Sequence, residues 1–398
     1  MAPTNPLFDE ISATTIEAFT KGQVARTLFT ATPWLRVLRT LKSIYREWQG
    51  GSYQKVPFDL QPVPSGAYSP GTDTFTLQQL QTIDDMVFAP KFYNAEVVIL
   101  ATYTDVYNRE PRQIVNILKE KYGNASNSLD SKVAADIYSH GQANSSTVTS
   151  GNRVKNVNGF AEALNDGKTP SWQGDVFTTY GNQLRNGPLT GTVLNSVPFW
   201  GGNADGSAGI VSSQILNRVY HRCKQGKGEG QVLGGKPDYG LTSDFLYGAI
   251  CDRVFPLQRV NPEIKEPRIG LTGLKFNNGI IFPDSYSPGL QNGLYIQDQT
   301  VLPTITTGTF AVPASSDAQQ SLNNFPNSTT NVTVGEVFQW VRSDTWRFSF
   351  PRSGRYSFRP RGLQEAFDGD ILADIIRAAL VLYCLVPSSN QVTFGFNG

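Results

Sequence analysis

Residues 111–140 read PRQIVNILKEKYGNASNSLDSKVAADIYSH, and residues 51–100 before them read GSYQKVPFDLQPVPSGAYSPGTDTFTLQQLQTIDDMVFAPKFYNAEVVIL. In the later stretch Ile114, Leu118, Tyr122, Ala125, Leu129, Val133 and Ile137 recur at steps of three or four. That spacing places them on one face of a helix. Asn108 suits the cap, Pro111 the first turn and Gly141 the exit. About thirty residues at a rise of about 1.5 Å each make a rod on the order of 45 Å long. In the earlier stretch Pro57, Pro62, Pro64, Pro70 and Pro90 exclude a continuous helix, and Gly66 and Gly71 supply turns. Its alternating apolar and polar residues predict an extended ribbon. A ribbon so poor in apolar residues buries little of itself, and an isolated hairpin is marginal in water. It needs a bed, which points to a subunit completed by its neighbours.

The chain has 398 residues, enough for two or three domains and a large core. Charged residues are 17%, below the roughly 25% of an ordinary soluble domain. Asn, Gln, Ser, Thr and Gly carry the polar load instead, which favours strands and turns over charged helices. The formal net charge is +1. A protein that grips nucleic acid tightly shows a basic excess or stripe, and none is visible here. Weak contact with nucleic acid stays open. Cys223, Cys251 and Cys384 are scattered, form no CxxC pair and have no metal spacing, so free buried thiols in a reducing compartment are expected. Residues 1–30 show no basic start followed by an apolar core, so no signal peptide is expected. The longest apolar stretch, Ile375 to Pro387, is interrupted by Arg377 and is too short to span a membrane. A cytoplasmic setting follows.

Ser12–Phe19 and Ala31–Arg46 are weakly helical. In the second, Trp34, Leu35, Leu38, Leu41 and Tyr45 form an apolar face among Arg36, Arg39, Lys42 and Arg46, suited to packing on protein. Residues 142–158 are loop-like. Helices are predicted over Ser212–Lys224 and Ser243–Val254, with a strand at Pro237–Thr242. Leu274, Phe276, Ile280, Ile281 and Phe282 around Asn277-Asn278-Gly279 predict a hairpin. Residues 303–334, rich in Ser, Thr, Asn and Pro, read as a surface insertion. Trp346, Phe348 and Phe350 alternate as in a strand. Tyr356 and Phe358 and then the run Ala378–Pro387 continue the strands, while Asp368 and Asp370 read as opening a helix-like stretch.

Catalytic signals are poor. Histidines number two, His140 and His221, so a His-based triad or multi-His metal site is nearly excluded, and surface positions are expected for both. Gly230-Gln-Val-Leu-Gly234-Gly235-Lys236 imitates a phosphate loop, but Pro237 stands where Ser or Thr must hold magnesium, and a strand follows. Asp84-Asp85, Asp368, Asp370 and Asp374 lack the opposed placement of glycosidase carboxylates. No G-x-S-x-G elbow and no HExxH occur. The sequons at Asn124, Asn144, Asn327 and Asn331 matter only in a secreted chain. No enzyme activity, cofactor or metal is expected.

In order, these segments resemble a tailed-bacteriophage major capsid protein. The N-arm is similar to Asn5–Thr15 and Thr32-Pro33-Trp34-Leu35, and the extended loop to the stretch opening at Gly50-Gly51-Ser52-Tyr53. The family's long spine helix resembles residues 111–140. Its axial domain resembles Trp172-Gln-Gly-Asp175, Pro198-Phe-Trp-Gly201, Pro237–Ser243 and then Leu274–Asp284, where two strands lead to an acidic residue. The last peripheral strands resemble Phe358-Arg-Pro360 through Leu380-Val381 to Phe394. The resemblance covers nearly the whole chain. It implies an α+β capsid fold: an N-arm at 1–50, an extended β-hairpin loop at 51–100, a peripheral domain at 101–149 and 341–398 with the spine helix and a peripheral sheet, and a mixed α/β axial domain at 150–340. The C-terminal part either stays peripheral or returns to the axial domain. The 303–334 insertion departs from the simplest family pattern.

The resemblance further implies a structural subunit that associates with itself as hexamers and pentamers around double-stranded DNA held weakly and non-specifically. Scaffold, portal and cement or decoration proteins are implied partners, with no membrane; the implied location is the virion, and the host cytoplasm during assembly. Contacts between subunits are expected at Trp34, Leu35, Tyr53, Asp59, Asp73, Asp84 and Asp85, and at Arg352, Arg355, Arg359 and Arg361 around the Gly354 turn. Some of these acids and arginines are expected to pair across subunits. Two alternatives stay open here: an encapsulin-like nanocompartment shell, and a carbohydrate-active β-rich protein.

Overall fold

The computed structural model describes residues 33–41, 44–48, 51–59, 83–100, 111–142, 155–167, 171, 176–185, 202–205, 209–225, 235–254, 263–266, 271–288, 336–351, 364–365 and 371–397. The readings at Ser12–Phe19, Trp172–Asp175, Pro198–Gly201 and Gly230–Gly234, the 303–334 insertion and the Gly354 turn lie outside them. The described residues fall into two compact units. One holds those between Phe92 and Lys132 and between Ser353 and Ala378. The other holds those between Thr32 and Lys91, between Val133 and Arg352, and from Ala379 onward.

The first unit is built on most of the long helix, Pro111–Ile137, whose 27 residues span about 40 Å. Ala125 and Leu129 are buried, as the three-and-four spacing requires, while Gly123 and Asn124 face solvent. Tyr122 Oη donates to Asp374 Oδ2 at 2.7 Å, tying helix to strand Ile371–Cys384. Burial is the main cause that pushes the Tyr122 phenol up, and the Asp374 carboxylate adds to it. Lys91–Leu100 also pairs with the Ile371–Cys384 strand, and Gln364–Glu365 joins it antiparallel.

That Ile371–Cys384 is one strand of 14 residues corrects the helix-like reading just after Asp370 and agrees with the strand reading from Ala378. Ala378 to Cys384 are all buried, so the stretch carries no alternation by which a strand could be told from a helix.

The second unit centres on an eight-stranded mixed sheet. Its order is Glu263–Glu266, Leu271–Phe276, Gly279–Pro283, Tyr239–Thr242, Glu336–Val341, Gln391–Asn397 and Asn203–Asp205, with Gly209–Ile210 also on the Gln391–Asn397 strand. The C-terminal strand therefore lies in this sheet, antiparallel to Glu336–Val341. Tyr239–Thr242 is buried along its whole length, as a central strand covered on both faces must be. Phe338, Trp340, Leu274, Phe276 and Ile281 form one core with Leu216, Val219 and Tyr220 of helix Ser213–Gln225 and Leu246 and Ile250 of helix Asp244–Val254.

The hairpin expected around Asn277-Asn278-Gly279 is present, with Phe276 opposite Gly279. Asn277 takes the positive φ of +51°. Gly279 serves packing instead: a Cβ there would lie 2.6 Å from Trp340 Cζ3.

Trp34 and Leu35 correct another expectation. Helix Pro33–Thr40 is shorter than predicted, and Tyr45–Glu47 is a strand parallel to Trp346–Phe350. Trp34 is 1% and Leu35 4% exposed. The Trp34 ring lies 5.6 Å from Phe160, 6.1 Å from Trp346 and 6.3 Å from Tyr239. Bulky anchors next to arginines resemble an arm seen from sequence, but here they pack into the chain's own core. His140 is likewise buried, its ring 5.0 Å from Phe177, while His221 is exposed as expected.

Candidate assembly interface

Strands Gln54–Asp59 and Ile83–Phe88 form an antiparallel ribbon, registered from Gln54 opposite Phe88 to Asp59 opposite Ile83. Because side chains alternate across a strand, Val56, Met86 and Phe88 share one face and are buried. Lys55, Pro57, Ile83 and Asp85 share the other and are exposed. Pro57 has no N–H, which suits a ribbon with open edges. Tyr53 is 60% and Ile83 59% exposed.

The foot of the ribbon is held by a second, shorter hairpin. Thr179–Tyr180 pairs with Gln183–Leu184. Gly181 and Asn182 between them have φ of +58° and +65°, the pattern of a two-residue hairpin turn. Val87 N–H donates to Gly181 O at 3.1 Å. Gln183 Nε2 donates to Asp84 Oδ2 at 3.2 Å and to Asp85 O at 3.0 Å. Phe88 lies 5.2 Å from both Tyr180, edge-on, and Tyr383, stacked. Tyr180 Oη reaches further to accept from Cys384 N–H at 2.8 Å.

Under this hairpin lies a buried polar group of side chains. The Arg185 guanidinium is buried, donates to Glu162 O at 2.5 Å, Ala163 O at 3.3 Å and Asn165 O, and lies 4.9 Å over the Tyr180 ring. Burial lowers its pKa to about 10, against the pull of the Tyr180, Glu162 and Asp166 groups. Burial also pushes the Glu162 carboxyl up, although Asn158 Nδ2 donates to both its oxygens, at 2.9 and 3.0 Å, and Gly141 N–H donates at 3.1 Å. Both shifts run toward the neutral forms, so desolvation outweighs mutual attraction in this pair. Lys91 Nζ donates to Gly141 O at 2.7 Å, and burial lowers its pKa while Glu162 opposes the shift. These groups fix backbone: Arg185 and Lys91 donate to main-chain carbonyls, and Glu162 accepts from a main-chain N–H.

In the first unit, strand Lys91–Leu100 buries Tyr93, Val97 and Ile99 and exposes Phe92, Asn94, Glu96 and Val98. Phe92 is 58% and Val98 46% exposed. A groove of about 620 Å³ runs between this strand and the long helix, lined by Asn94, Glu96, Val98, Lys121, Asn124 and Lys132 among others.

Of the expected contact residues, Tyr53 and Asp85 are exposed, Asp84 is half-buried under Gln183, and Asp59 lies at the far end of the described ribbon. Asp73, Arg352, Arg355, Arg359 and Arg361 lie outside the described residues. Sequence reasoning missed Ile83, Phe92 and Val98 as exposed apolar residues, and the Gly181-Asn182 turn. That dipeptide was a legible hairpin signal.

Cys223, Cys251 and Cys384 are free, the first and last buried, and burial pushes the Cys384 thiol up to about 12. Among the described residues no group of three or more His, Cys, Asp or Glu could hold a metal ion, and no helix is long and apolar enough to cross a membrane.

No family model matches this chain, and no curated protein matches it. Solved structures do. A chain of the cyanophage A-1(L) capsid asymmetric unit aligns with 100% of this chain and 99% of its own, at a TM-score of 0.56 and 13% identity. This chain has the phage major-capsid fold. The alignment takes in the ribbon, the long helix and both larger sheets of the capsid fold. Mycobacterium phage Bobi matches over 98% of both chains at a TM-score of 0.48 and 11% identity. The holo-SrpI encapsulin complex from Synechococcus elongatus PCC 7942 matches over 96% of both at 0.45 and 11%. The first of these carries the fold; at such identities none carries residue roles.

Proposed function

We propose that this protein is the major capsid protein of a tailed bacteriophage, assembling with itself as hexamers and pentamers into an icosahedral head. The observation that carries the proposal is the capsid fold running through the whole chain. The exposed Tyr53 and Ile83 on one face of the ribbon support it, as large apolar side chains that a neighbouring subunit would cover. The role is structural. The ribbon of one subunit lies across the next, and each contact adds roughly 25 cal/mol per Å² of apolar surface removed from water, less the cost of ordering. Single contacts are then weak, and the closed lattice is strong because symmetry repeats them.

Some of Arg352, Arg355, Arg359 and Arg361 pair with some of Asp59, Asp73, Asp84 and Asp85 of adjacent subunits. A net charge of +1 suits a wall that encloses DNA without gripping it. Scaffold, portal and decoration proteins complete the particle, which is built in the host cytoplasm and ends as the virion shell.

Expression of the chain, followed by size-exclusion chromatography and negative-stain imaging, tests this reading. Closed shells of uniform diameter are expected. A species that stays monomeric at every concentration contradicts it, and shells filled with one protein cargo would favour a nanocompartment instead.

A further inference from the structure

We propose that the Thr179–Leu184 hairpin is a seat that sets the direction of the strap formed by strands Gln54–Asp59 and Ile83–Phe88 before any neighbour arrives, and that this direction governs the geometry of the closed shell. The inference rests on the assembly reading above and assigns a positioning role within it.

Four contacts of different kinds converge on the foot of the strap. The Val87 amide bonds to Gly181 O, Gln183 bonds to Asp84 and Asp85, Phe88 lies between Tyr180 and Tyr383, and Met86 packs over Gly181. The seat is itself rigid. Its turn is a tight two-residue one, and Arg185, next after its second strand, is pinned to three backbone carbonyls. The two hairpins meet so closely that position 181 takes no side chain. A Cβ there would lie 3.0 Å from Phe88 Cζ and 3.1 Å from Met86 Cβ, on a backbone with φ of +58°.

A free two-stranded ribbon would sample many directions, and each assembly step would have to order it. A strap already aimed lowers that ordering cost. A shell of one diameter needs the strap to leave every copy at a reproducible angle, because symmetry repeats any error.

The test uses the full chain and two variants. Gly181→Ala crowds the seat, and Gln183→Ala removes its two side-chain hydrogen bonds without entering the core. Amide deuterium exchange is followed at Val87 in subunits kept below their assembly concentration, with the Glu336–Val341 strand as internal reference. In the wild type the Val87 amide is protected. Both variants raise its exchange at least tenfold with the reference unchanged, and they broaden the particle diameters or cut the yield of closed shells at least fivefold. Lys55→Ala, on the exposed face, leaves the Val87 exchange unchanged. If Gly181→Ala fails to fold, Gln183→Ala decides. An unprotected Val87 in the wild type, or variants with wild-type exchange, yield and diameter, overturns the seat while leaving the capsid reading standing. A wild type that never assembles overturns the capsid reading and, with it, the seat's role in shell geometry.

Discussion

Tyr138 donates its phenolic hydrogen to Asp284 Oδ2 at 2.7 Å, and both residues are buried. Tyr138 follows the last turn of the long helix, and Asp284 follows strand Gly279–Pro283, so one bond joins a helix end to the edge of the mixed sheet's core. Asp284 is held from its other side by Tyr286 N–H at 3.0 Å, while Asp244 adds like charge.

Burial pushes the Asp284 carboxyl from an ordinary 3.8 up to about 6, against the lowering effect of those hydrogen bonds. Between about pH 4 and 6 the folded chain therefore keeps a proton that the unfolded chain has released. The group's contribution is most favourable below that window and falls as pH rises through it. A rise from 3.8 to about 6 corresponds to roughly 3 kcal/mol. Asp284→Asn removes this slope. Urea unfolding of both proteins at a series of pH values should show the wild type losing about 2–3 kcal/mol relative to the variant from acid to neutral pH. A difference that stays flat contradicts the assignment.

Gly123 sits in the exposed middle of the long helix, and a Cβ there would meet nothing within 4 Å. Gly123→Ala should stabilise the subunit by about 0.5–1 kcal/mol, since alanine restricts the unfolded chain and adds no clash. Thermal unfolding checks this; a lower melting temperature would mean that the helix is not continuous at that point.

Trp34→Ala should destabilise the subunit by about 3–5 kcal/mol, the range for emptying a large aromatic from a core. The aromatic group it would break comprises Trp34, Phe160, Tyr239 and Trp346. Chemical denaturation of unassembled protein measures it. A loss confined to assembly, with an unchanged midpoint, would return Trp34 to an arm that clasps a neighbour.

Tyr53→Ser and Ile83→Ser should behave in the opposite way. Both side chains are mostly exposed, so subunit stability should move by no more than about 0.5 kcal/mol. Shell yield should fall severalfold, because each loses apolar area at a contact that symmetry repeats. Full shell yield in the double variant would show that this face meets no neighbour.

The long helix was legible because Ala125, Leu129 and Val133 keep a helical period over many turns, and the two shorter helices and the Asn277 hairpin were legible for similarly local reasons. The start of Ile371–Cys384 was not, since Asp368 and Asp370 before it imitate the opening of a helix. Trp34 and Leu35 were misread because an apolar face reveals that it is covered and not by what. The seat under the strap depends on residues about a hundred positions apart, such as Asp84 and Gln183, and one sequence gives no signal for such a pairing.

A high-resolution cryo-electron-microscopy map of the particles formed by this chain would show what covers the exposed face of the strap. A second copy of the chain is expected against Tyr53 and Ile83 in every hexamer and pentamer. A strap folded back on its own subunit, with both residues covered from within, would contradict it.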